Sequence, residues 1–155
     1  MSDITQIRAK IETADVDGAG TSAWVYLGLA GREFLLDSGS GSDFVQGAKT
    51  CFVLGEQNTH SDPDSSFTDV TVNDAEWNDP RKPQLDTEDL DYPAYIRFVK
   101  SGDNPPWCIE RVQITVHTST GDRHHFDNRT LAHRNDARRI WLHDLYGERL
   151  FLRQV

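Results

Sequence analysis

A period of two constrains this chain more than any other feature. In TQIRAKIET, residues 5–13, Ile7, Ala9 and Ile11 share one face while Arg8, Lys10 and Glu12 take the other. That is the spacing of a strand with one buried face and one wet face. In SAWVYLGL the residues Ala23, Val25, Leu27 and Leu29 point one way and Trp24 and Tyr26 the other, so both faces read as covered. REFLL, TCFVLG, AYIRFV and WCIERVQITVHT continue the pattern, each bounded by Gly, Pro, Asp or Ser clusters. STGD (119–122) predicts a hairpin turn between VQITVHT and RHHF, and YGE joins IWLHDL to RLFLRQV in a closing hairpin. No helical period persists; RTLAHRNDARR is a weak candidate for one or two turns. Short strands separated by turns predict an all-β sandwich.

At 155 residues the chain is expected to form one domain, residues 1–155, with two additions to the strand pattern. Residues 56–93 are rich in Asp, Asn, Ser and Pro and read as a long acidic loop insertion holding one strand, FTDVTV. Loops of that length inside a domain are often functional. Residues 128–155 form a C-terminal extension that carries the closing hairpin. A net charge of -9 repels phosphate backbones, which argues against nucleic acid as a partner. MSDITQIRAK lacks the basic start and apolar stretch of a secretory signal, and no run has the length of a membrane span. The default location is therefore cytoplasmic, with peripheral membrane association compatible. Cys51 and Cys108 sit inside apolar runs and read as small buried hydrophobes.

Ahead of the second strand stands DGAGT, residues 17–21, whose Gly18 and Gly20 give the backbone freedom to turn carbonyls towards a common point. Carbonyls with nearby carboxylates suit calcium, a hard cation that takes several oxygen ligands. The same residues also suit a plain glycine-rich turn between two strands.

Three blocks in order, GAGTSAWVYLGLAG, EFLLDSGSGSDFVQGAKTCFVLG and PPWCIERVQITVHTSTGDRHHF, resemble the polycystin, lipoxygenase and alpha-toxin (PLAT) domain family. They cover most of residues 5–126, and the chain resembles a stand-alone, single-domain member of bacterial type. The resemblance implies an eight-stranded antiparallel β-sandwich serving as a non-catalytic module that docks onto membranes, lipids or protein partners, often with calcium. Carried over position by position, it implies a calcium site using the Gly18 and Gly20 carbonyls, the Asp37 or Asp43 carboxylate, and Ser42 as a weaker oxygen, with Asp103 completing the ring. The chain departs from the family pattern at Ser22, where many relatives carry Asp, and at Val45, where lipoxygenase relatives carry Glu. Asp15 and Asp17 would compensate from the same loop.

Docking in the family also uses aromatic residues at loop tips, because a tryptophan ring is stable at a headgroup boundary. Here Trp77, flanked by polar residues in NDAEWNDP, is the candidate membrane or partner contact, while Trp24 and Trp107 are assigned to packing. Calcium-assisted lipid docking is the first expectation. A protein-interaction module using loop 56–93 and Trp77 is the second, and carbohydrate binding a third. Oligomeric state is left open.

Enzymatic chemistry finds little support in the residues. Adjacent histidines on a strand face opposite sides, so only one of His124 and His125 can join His117, and two histidines without a placed carboxylate make a weak zinc site. GSGSDF lacks the strand-to-helix setting of a nucleophile elbow. Neither cysteine has a histidine beside it to activate a thiolate.

Overall fold

A computed structural model describes residues 1–155 except 63, 65, 101–104 and 133–137. The described residues form ten strands: β1 (Ile4–Thr13), β2 (Trp24–Leu29), β3 (Arg32–Leu35), β4 (Lys49–Gly55), β5 (Thr68–Thr71), β6 (Ala94–Val99), β7 (Trp107–Thr118), β8 (Arg123–Asp127), β9 (Ile140–Leu142) and β10 (Arg149–Gln154). Every alternating run of the sequence is one of them. The helical candidate is a single turn, α1 (Arg129–Ala132), and part of its expected length lies outside the described residues.

Hydrogen bonding runs in the order β3-β2-β6-β10-β8-β7-β1-β4-β5, with β9 on β7. The all-β expectation holds, but the eight-stranded antiparallel sandwich is corrected in two ways. First, β4 and β5 pair in parallel. Parallel neighbours need a long crossover, which the stretch between Gly55 and Thr68 supplies. Second, the sheet is one curled, mixed surface rather than two separated sheets. Its hinge is β10, whose residues Arg149–Leu152 pair with β6 while Arg153 and Gln154 pair with β8.

The curl encloses one core. Val25, Leu27, Phe34, Ile96 and Phe98 from one arm meet Ile7, Ile11, Phe52, Val112 and Ile114 from the other. These are the apolar members of the alternating runs. Trp107 is fully buried, its ring 5.1 Å from Phe44, and its Nε1 donates to Thr13 Oγ1 at 3.0 Å.

The closing hairpin is also corrected. Its turn forms, bridged between His143 and Gly147, but the flanking strands part: β9 pairs with β7 and β10 with β6 and β8. Within 56–93 the structure shows more than a loop with one strand. Two 3-10 turns, Ala75–Trp77 and Thr87–Asp91, follow β5, and Leu85 and Leu90 reach the main core.

The stretch after β4 lies across the outer face of β1. Gln6 Nε2 donates to the carbonyls of Glu56 and Thr59, at 2.8 and 3.0 Å, and Arg8 donates to the His60 carbonyl at 3.3 Å. His60 stacks on His117 with ring centroids 3.8 Å apart. Burial, reinforced by His60, Arg123, Arg8 and His125, pushes the His117 imidazole down from 6.5 to about 4. The unfolded chain therefore binds this proton between those two values while the folded chain does not, so stability falls as pH drops from 6.5 to 4. At about 1.4 kcal/mol per unit, the loss is about 3 kcal/mol. Urea unfolding at pH 7 and pH 4.5 should show this acid loss, and His117→Gln should remove most of it.

Candidate functional site

Strand register gathers several loops at one end of the sheet. Glu12 opposite Lys49, and Thr13 opposite Ile109, bring the loops before β2 and β4 beside the start of β7. Trp24 begins β2 opposite Val99, where β6 ends, and Leu142 ends β9 opposite Trp107. The turn between β9 and β10 closes the same end, with the Glu148 carbonyl accepting from Phe98 N at 2.7 Å.

The glycine stretch is packed closely into this end. A Cβ on Gly20 would stand 2.9 Å from Gln46 N and 3.1 Å from the Phe44 carbonyl oxygen, so only glycine admits the neighbouring loop. Gly18 takes a left-handed φ of 75°. Ala19 between them is buried against Ala14 and Cys108, and its carbonyl accepts from Cys108 N at 3.0 Å.

Asp37 and Asp43 come together around a pocket of about 250 Å³, with Thr21, Ser22 and Trp24 also in its wall. Gly18, Gly20 and Ser42 do not line it, and Asp103 lies outside the described residues. The Asp43 carboxylate is buried and takes Ser38 N at 2.8 Å, Ser38 Oγ at 2.5 Å and Ser40 Oγ at 3.2 Å. Asp37 Oδ1 accepts from Gly39 N at 2.9 Å.

This donor set does not fit calcium. The ion takes six to eight oxygens, whereas of the implied ligands only Asp37 and Asp43 share this pocket, and Asp43 Oδ1, Asp43 Oδ2 and Asp37 Oδ1 already accept N–H and O–H donors that hold the 37–43 loop. Among the described residues, no group of three or more His, Cys, Asp or Glu side chains is placed to hold a metal. Asp15, expected to compensate, accepts instead from Gln46 Nε2 at 2.9 Å.

The apolar surface of this end was not read from the sequence. Leu145 is 82% exposed and Tyr146 68% at the tip of the β9–β10 turn, and Trp141 is 39% exposed beside them. Trp141 and Tyr146, with Pro106, line an apolar hollow of about 550 Å³. Trp24, assigned to packing, is 46% exposed, and Val45, standing where an acid was expected, is exposed too. A signal was available: LYG follows HD in a turn, where polar residues are the rule.

Trp77 stands apart. It is 74% exposed on its 3-10 turn along the β3 edge, where Arg32 donates to the carbonyls of Trp77 and Asp79 at 3.1 and 2.9 Å. His117 and His125 share a cleft on the outer sheet face, while His124 bonds Gln154. Burial pushes the Cys51 thiol up to about 12 and the Cys108 thiol up to about 11, which leaves neither as a thiolate nucleophile at neutral pH.

No protein-family model matches the chain, and no curated protein matches it by sequence. Solved structures do. A lipoxygenase deletion variant crystallised anaerobically with arachidonate is 18% identical, covers 97% of this chain and gives a TM-score of 0.51. The same variant with a further substitution gives 0.52 at 16% identity, and the variant without that substitution 0.51 at 18%, each again over 97% of this chain. The chain spans 16% of the length of those proteins, at the region of their PLAT domain. At such identity the likeness is one of fold, and in fold this chain is similar to the PLAT domain of lipoxygenase, the family its three sequence blocks resemble.

Proposed function

We propose that this chain is a non-catalytic module that docks on a lipid surface through the loop end holding Trp24, Val45, Trp141, Leu145 and Tyr146. The observation that carries the reading is the β9–β10 turn, which projects an aliphatic and an aromatic side chain into solvent where a turn ordinarily carries polar ones. Aromatic rings are stable at the depth of lipid headgroups, and each buried apolar side chain adds a favourable transfer term. Lys100 Nζ lies 3.8 Å from Asp144 Oδ2, so one carboxylate beside the apolar tip is partly neutralised. The likeness in fold to the PLAT domain of lipoxygenase, a membrane- and lipid-binding module, supports the same class of partner.

Because both Asp43 oxygens and Asp37 Oδ1 already accept hydrogen bonds within the 37–43 loop, docking is assigned to apolar contact and not routed through calcium. A net charge of -9 favours zwitterionic over anionic surfaces. Co-sedimentation with phosphatidylcholine vesicles tests this. The chain should pellet equally with EDTA or calcium, and failure to pellet under both conditions removes the reading.

A second reading keeps a protein partner for Trp77. A tryptophan mostly exposed along a sheet edge, within the acidic 56–93 stretch, has the character of an interface anchor. It predicts binding that is lost in Trp77→Ala while vesicle association is kept.

A further inference from the structure

The outer face of β1, β7 and β8 holds a cleft of about 490 Å³, walled on one side by the stretch after β4. In a chain of net charge -9 its lining is rich in cations: Arg8, Lys10 and Arg123, with His117 and His125 beside them. Two carboxylates, Asp62 and Asp127, line the cleft as well, and these and Asp69 are each already paired with a cation. Asp69 takes Arg8 Nη2 at 2.7 Å, Asp62 takes Lys10 Nζ at 3.0 Å, and Asp127 takes Arg111 Nη2 at 2.6 Å. Arg123 has no carboxylate partner among the described residues.

Arg8 is buried, and its Nε has no hydrogen-bond partner. A buried donor left unpaired costs free energy unless something outside the chain accepts from it. The surplus charge of Arg123 and the open donor of Arg8 ask for the same kind of ligand, an anion with several acceptor oxygens. Guanidinium groups match phosphate in both charge and geometry.

We propose that this cleft binds a soluble phosphate ester, with Arg123 supplying charge and the buried Arg8 a donor. Arg8 lies in the middle of β1, opposite Val53 and Thr115, away from the apolar loop end. A module docked by that end turns this face towards water, so the choice of a soluble ester over a lipid headgroup rests on the docking reading. The phosphate site itself does not.

Glycerol 3-phosphate titrated into the full chain, followed by calorimetry and amide chemical shifts, should bind, and glycerol should not. Arg123→Gln, an exposed substitution, should weaken binding roughly tenfold, the loss of one charged contact. Arg8→Lys keeps the charge but removes Nε and the fork, and should weaken it similarly, with circular dichroism reporting the fold. The proposal is overturned by no binding of the ester at millimolar concentration, or by equal binding in Arg123→Gln. It is overturned too if phosphatidic acid vesicles alone are captured in an Arg123-dependent way. Binding of glycerol 3-phosphate by a chain that ignores phosphatidylcholine vesicles would defeat the docking reading and leave this one standing.

Discussion

Trp107→Ala is expected to destabilise the fold by about 4 kcal/mol, the range found when a large aromatic is truncated in a closed core. The ring is fully buried where β7 begins, packs on Phe44 and donates to Thr13 at the end of β1. Truncation removes that packing, leaves Thr13 Oγ1 short of a donor and opens a void beneath the loop end. Since a domain of this size holds about 5–15 kcal/mol in all, the loss should appear as a large drop in urea midpoint. Trp107→Phe keeps most of the volume and should lose much less. A midpoint for Trp107→Ala within experimental error of the parent chain would mean that this tryptophan does not tie β1 to β7.

The second large effect is functional. Leu145→Asp combined with Tyr146→Asp should abolish association with phosphatidylcholine vesicles, a loss of more than about a hundredfold from two apolar insertions. Both side chains are mostly solvated, so thermal unfolding should barely move. Trp77→Ala, on the β3 edge, should leave vesicle association unchanged. Retention of the double aspartate variant on vesicles would place the docking contact somewhere other than the β9–β10 turn.

Much of the fold was legible because its signal is local. Alternation in residues 5–13, 23–30 and 107–118 specifies strand and buried face together, since successive side chains on a strand point to opposite sides. The STGD turn was legible for a similar reason: Gly121 adopts a φ of 87° between β7 and β8. Much less of the candidate site could be read this way. GAGT suggested carbonyls converging on an ion, but Gly20 is required by the approach of Phe44 and Gln46, residues separated from it by two strands in sequence. Asp43 carried the right chemistry for a ligand, yet Ser38 and Ser40 use its oxygens locally. Trp24 alternated as packing does, but it sits where its strand begins at the open end.

Period and turn chemistry in the sequence alone determined an all-β chain, the placing of most of its strands and the side of each alternating run that faces the core; that the other side of β1, read as wet, is covered at Gln6 and Arg8, and that Trp24 on β2 is exposed, was not legible there. Tertiary structure alone decided that β5 runs parallel to β4, that β9 and β10 part to different neighbours, and that β10 joins the two arms into one curled sheet. It also decided that Arg8, Arg123 and His125 share a cleft and that Leu145 and Tyr146 are left in solvent. The physical reason is range: side-chain direction follows from the neighbouring residue, whereas pairing, exposure and clustering depend on residues tens of positions away competing for the same core.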